Sequence, residues 1–90
     1  MIDKIKMYET ITNDMLNTYK SKNNDYGDSF GTSVNKYGLI AALTRISDKF
    51  NRLENLILTH NQKVKDESLE DTLLDLASYC IMTAIELKKE

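Results

Sequence analysis

Two groups of charged side chains in this sequence have the types and spacing to handle a phosphate-bearing ligand. Arg45, Asp48, Lys49 and Arg52 recur at three- and four-residue intervals. On a helix they share one face: with Arg45 at 0°, Lys49 lies at about 40°, Arg52 near −20° and Asp48 near −60°. Arginine offers phosphate a bidentate fork and lysine a compact point charge. The plainer reading is ion pairing of Asp48 with Arg45 and Arg52 on a solvated face. The second group is Glu67, Asp71 and Asp75, four residues apart, with Glu70 beside them. Glu67 and Glu70 near a helix start suit the macrodipole. Asp75 is different, because Leu73, Leu74, Leu76 and Ala77 surround it. A carboxylate in that setting needs a cation, a metal or hydrogen-bond donors. Asp71, one turn earlier, can share a Mg²⁺ with it; a salt bridge from Asp75 to Arg45, Lys49 or Arg52 is the alternative.

A third element lies between Asn23 and Gly38, where the chain reads NNDYGDSFGTSVNKYG. Tyr26 or Phe30 can stack on a base, with Asp25 beside them, while Ser29, Thr32, Ser33 and backbone N–H groups near the glycines can meet phosphate or ribose. The alternative is that the aromatics plug one end of a bundle. His60 is the only histidine, so no Ser/His/Asp or Cys/His arrangement forms and no catalytic residue is assigned.

The elements that must position these groups are helical. From about Ile2 to Lys22, Ile5, Tyr8, Ile11 or Thr12, Met15 and Tyr19 form one apolar stripe. Asn23–Gly38 has no clear period; Asn, Asp and Gly give it turn chemistry, and its length and aromatics predict an ordered loop that folds over something, with room for a short helical turn. From about Lys36 to His60, Leu43, Ile46, Phe50, Leu53 and Ile57 step by three and four within an arc of about 80°. The turn THNQKVKD follows. A last helix begins near Asp66–Ser68, where Ser68 and Asp71 resemble a capping pair, and runs to about Lys88. It is apolar on almost every side between Leu73 and Leu87, and such a helix must be covered on every side. Two other long helices cannot easily do that, which points to a homo-oligomer built around the C-terminal helix.

Composition narrows the rest. Ninety residues with no proline and one cysteine, Cys80, make a single domain without a disulfide framework. At this size the buried fraction of surface is modest, and self-association is the natural source of more. A formal charge of −2 argues against direct nucleic-acid binding. The apolar runs are too short to span a membrane, no signal-peptide pattern opens the chain, and a lone thiol suits the reducing cytosol. A cytoplasmic location is expected.

The strings KNNDYGDSF (Lys22 to Phe30), RISDKFNRL (Arg45 to Leu53) and DESLEDTLLDLASY (Asp66 to Tyr79) resemble a family of short phage and bacterial proteins, the nucleotide-modification-associated domains. That similarity covers about Lys20 to Met82. It implies nucleotide metabolism or signalling, with Asp25, Tyr26, Gly27, Arg45, Asp48, Lys49, Arg52, Asp66, Glu67, Ser68, Asp71 and Asp75 on the family's residues. A looser similarity is to the all-α pyrophosphohydrolases of the MazG and dimeric dUTPase type, which hold Mg²⁺ with E-E-x-x-E on one helix and E-x-x-D on the next. Glu67, Asp71 and Asp75 roughly match the second motif. Where the first belongs, this chain has Arg45, Asp48, Lys49, Asn51 and Arg52.

The expectation is therefore an all-α bundle spanning 1–90, of three main helices with a long ordered loop after the first, assembling as a homo-oligomer. Its ligand is a nucleotide-derived small molecule, bound through Asp25, Tyr26, Phe30, Arg45, Asp48, Lys49, Arg52, Asp71 and Asp75 without a cofactor. The function expected is sequestration of a cyclic nucleotide or ADP-ribose-type immune signal by a phage anti-defence protein in the host bacterial cytoplasm. The alternative is a Mg²⁺-dependent nucleoside triphosphate pyrophosphohydrolase with Asp71 and Asp75 as metal ligands.

Overall fold

A computed structural model describes residues 1–59 and 69–89. His60, Asp66, Glu67, Ser68 and the expected Ser68–Asp71 capping pair lie outside the described residues. Four helices follow one another: α1 (Lys4–Tyr26), α2 (Ser29–Tyr37), α3 (Leu39–Thr59) and α4 (Leu69–Lys88). No strand occurs among the described residues, so the all-α expectation holds. The long loop does not. Most of Asn23–Gly38 is helix: α1 continues through Asn23, Asn24 and Asp25, and α2 occupies nine residues of the remainder.

Local chemistry explains the difference. Gly27 and Gly38 take φ of 71° and 79°, a region where only glycine is unstrained. Each donates its N–H back into the preceding helix, Gly27 to the Asn23 carbonyl at 2.8 Å and Gly38 to the Val34 carbonyl at 2.7 Å. The glycines thus end helices rather than populate a loop. Asp28 starts α2, its Oδ1 accepting from Gly31 N–H at 3.0 Å, and the Thr32 hydroxyl donates to the Asp28 carbonyl at 2.9 Å. Gly31 is in this helix for space, because a Cβ there would run into the Asp28 carboxylate. Asp3 caps α1 in the same way, accepting from Lys6 N–H at 3.1 Å.

Helices α3 and α4 form the closest pair, and α2 packs over both. Among the described residues Phe30 and Ala42 are the buried apolar side chains, and Thr72 is a buried polar one. Helix α1 buries no residue; Met15, Tyr19 and Asn23 are its half-buried positions, and everything before Met15 is exposed. The radius of gyration is 14.7 Å, against about 12 Å for a compact chain of this length. No helix among the described residues is long and apolar enough to cross a membrane.

Removing the α2 cap with Asp28→Ala should cost about 1 kcal/mol. Gly38→Ala should cost roughly 1–2 kcal/mol through left-handed strain. Each is expected to lower the circular-dichroism melting midpoint by about 4–8 °C per kcal/mol. Unchanged midpoints at equal protein concentration would show that caps do not hold α2.

Candidate functional site

A cleft runs between α1 and the α3–α4 pair, divided into two cavities of about 460 and 320 Å³. The divider is an ion pair across the α3–α4 interface: Lys49 Nζ lies 3.1 Å from Asp75 Oδ2. Both residues line both cavities, as do Met15, Thr18 and Ser78. The carboxylate set into the apolar part of α4 therefore meets a cation, one of the three that its surroundings in sequence made available. The two side chains keep 31% and 48% of their exposure. Such a pair stays partly hydrated and remains able to exchange partners.

The two cavities differ in sign. The first, larger one collects Asp14, Glu70, Asp71 and Asp75 against Lys49 and Arg52. The second collects Lys22, Arg45 and Lys49 against Asp28 and Asp75, and the Asp28 carboxylate is already committed to capping α2. The start of α2 borders the second cavity at Ser29 and Phe30, adding the positive end of a helix dipole. A polyanion is thus favoured in the second cavity and opposed in the first. The cationic face of α3 is shared out: Arg45 faces the second cavity, Arg52 the first, and Lys49 both.

Arg45 is exposed and lies over an aromatic pair. Its guanidinium carbon sits 5.9 Å from the centroid of the Tyr79 ring, and Tyr79 packs in turn on Phe30, with ring centroids 5.7 Å apart and an interplanar angle of 40°. Phe30 is 7% exposed. It serves as a packing residue beneath the site, the plugging role, with little face left for a base. Tyr26 is 78% exposed at the edge of the second cavity and has a free ring face. Asp25 and Asp48 are exposed and line neither cavity. Asp25 ends up in the last turn of α1 because that helix runs on through it, and Asp48 lies at the edge of the cationic face of α3, about 40° beyond Arg52. Arg52 and Asp71 line the first cavity, and neither is without a partner.

Several lining residues were passed over in the sequence. Lys22 opens the first of the three family-like strings, and Tyr79 closes the third. Ser78 is a small hydroxyl residue in an otherwise apolar stretch, and it leaves room with Thr18 where α1 and α4 approach.

A Mg²⁺ site is not supported by the donor set. Among the described residues no three histidine, cysteine or carboxylate groups converge as a metal would require. Asp71 and Asp75 are one turn apart, but the Lys49 ammonium already occupies Asp75. Mg²⁺ takes six oxygens, commonly one or two carboxylates with waters and substrate phosphates making up the rest. The described donors of the cleft thus do not form a protein-only Mg²⁺ cage.

Residues 22–87 match the family described as nucleotide modification associated domain 1. The match covers most of the chain, and the chain belongs to that family. No curated protein matches it, and no solved structure does. The matched span takes in α2, α3, α4 and only the last turn of α1, so the cations Arg45 and Lys49 and the acids of α4 fall within it.

A double-mutant cycle on Lys49→Met and Asp75→Asn is expected to give a coupling of about 0.5–1 kcal/mol, falling as salt is added. A coupling above about 3 kcal/mol would mean a fully desolvated pair and a closed rather than open divider.

Proposed function

We propose that this member of the nucleotide modification associated domain 1 family captures a nucleotide-derived, phosphate-bearing small molecule in its cleft and releases it chemically unchanged. The observation that carries this reading is the second cavity. Three cations from two helices face one space, one of its two carboxylates is spent on a helix cap, and an exposed tyrosine stands at its edge. Arg45 and Lys49 meet the phosphate oxygens, arginine as a fork and lysine as a point charge. Tyr26 stacks on a base or other flat ring. Lys49 passes from Asp75 to the phosphate as the ligand enters, which costs little because the pair is half-hydrated.

Capture without turnover suits a sponge. On this reading the protein serves a phage in the bacterial cytoplasm by sequestering a cyclic nucleotide or an ADP-ribose-type immune signal. The short chain and a site that asks for binding but no reaction both support it. The competing reading is a Mg²⁺-dependent pyrophosphohydrolase of MazG type. The acid-rich first cavity, with Asp14, Glu70, Asp71 and Asp75 together, favours it; the donor count and the Lys49 contact weigh against it.

The test is retention. The protein is incubated with Mg²⁺ and a panel of mononucleotides, cyclic dinucleotides and ADP-ribose derivatives, freed of unbound ligand, denatured, and the released material identified. Intact ligand is expected, with affinity falling as salt rises. Arg45→Ala should weaken retention by about tenfold or more, the loss of a charge-assisted hydrogen bond worth roughly 1.5–3 kcal/mol. Recovery of monophosphate and pyrophosphate would establish the hydrolase instead, and a protein that retains nothing would leave the cleft without this role.

A further inference from the structure

We infer that the first three turns of α1 form an arm that docks on the outer face of α4 in a second copy of this chain, and that the nucleotide cleft is complete only when the arm is docked. The second clause rests on the nucleotide reading above; the first does not.

The arm has no partner in its own chain. Ile5 is 84% and Tyr8 74% exposed, and every position before Met15 is exposed. Yet the arm continues the same apolar stripe that, at Met15 and Tyr19, already packs beside α4. A helical stretch of this length without tertiary contact is marginal in water. Something must cover it.

The surface that fits it is on the same molecule. Leu73, Cys80, Ala84 and Leu87 of α4 are exposed within an arc of about 60° on its outer face. The chain thus carries an unpartnered apolar arm and an unpartnered apolar seat. Two copies related by a twofold axis bury both at once, each arm on the other's seat. A stable dimer needs about 800 Å² per partner; three turns of helix laid on four, made twice by symmetry, are of that order. A lipid surface fits less well, because Lys4 and Lys6 on the arm are offset by Asp3 and Glu9, leaving no net positive charge for anionic headgroups.

The consequence for the cleft is direct. Thr18, Lys22 and Tyr26 of α1 form one wall of the second cavity, and α1 buries nothing within its own chain. Docking the arm in the partner fixes that wall.

The chain supplies its own probe, because Cys80 is exposed on α4. Full-length Tyr8→Cys protein is oxidised at low micromolar concentration and its disulfide mapped by mass spectrometry, next to wild type. The expected result is a Cys80 disulfide to position 8 between copies in the variant and no cross-link in wild type. Light scattering should give wild type a mass of at least twice 10.4 kDa. Ile5→Glu, which touches neither cavity, should reduce both mass and nucleotide retention, the latter by tenfold or more, while helical circular dichroism persists. If Ile5→Glu unfolds, the cross-link still decides. A wild-type mass of 10.4 kDa, a Cys80–Cys80 dimer, or an assembly that forms without the position-8 cross-link would overturn arm docking. The last of these would place self-association on another face, such as Leu43, Phe50 and Ile57 of α3. A monomeric Ile5→Glu protein with wild-type retention would overturn the dependence of the cleft on docking. Wild type that assembles through the arm but holds no nucleotide supports docking and removes only the ligand reading.

Discussion

The chain has more apolar surface than its own helices can cover, and most of its architecture follows from that shortage. Among the described residues Phe30 and Ala42 are the buried apolar side chains, while large residues on all four helices remain exposed. The α3–α4 pair holds because it is the closest contact available, and α2 adds its one large buried ring, Phe30, against Tyr79. Helix α1 is left leaning on the pair. A tighter bundle would have closed the gap beneath it; the loose one leaves a cleft wide enough for a small molecule. The same shortage leaves a thin stability margin for a chain of this size.

Within the cleft, one ammonium group sits where two fields meet. Lys49 is held by Asp75 at 3.1 Å and faces an acid-rich cavity on one side and a cation-rich one on the other. Neither partner is desolvated enough for the pair to act as a rigid strut. An anion entering the cation-rich side competes with Asp75 for the same charge. Arg45 differs: its guanidinium lies over Tyr79, which Phe30 supports from below.

Much of this was legible in the sequence where a residue type had only one physical outlet. Asp75, an acid among leucines, had to find a cation, and the three on α3 were the available ones; Lys49 is the one that reaches it. The helical period of α3 was plain, but a stripe of that kind does not say how much of it the chain itself will cover. Ile46 and Leu53 are half-buried, while Leu43, Phe50 and Ile57 on the same stripe stay exposed. The region from Asn23 to Gly38 was misread because Asn, Asp and Gly suit turns and helix ends equally well. Asp28 three residues before Gly31, and Phe30, Val34 and Tyr37 at helical spacing, carried the signal for α2. Asp25 drew attention by lying beside Tyr26, yet on a helix a neighbour in sequence points about 100° away; Asp48 drew it by sharing a face with Arg45 and Arg52, but at the far edge of that face. Lys22 went unnoticed for the opposite reason: it lies two turns from the half-buried Met15, and only the fold brings it to Arg45's cavity.

The account stands or falls on where a polyanion settles. A titration of isotope-labelled protein with inorganic tripolyphosphate, followed residue by residue by nuclear magnetic resonance, reads that position directly. The account predicts saturable shifts concentrated at Lys22, Arg45, Lys49, Ser78 and Tyr79, with Lys4, Lys6, Lys88 and Lys89 little affected. Weak, non-saturating shifts spread over the surface lysines, with Arg45 and Lys49 unmoved, would contradict it.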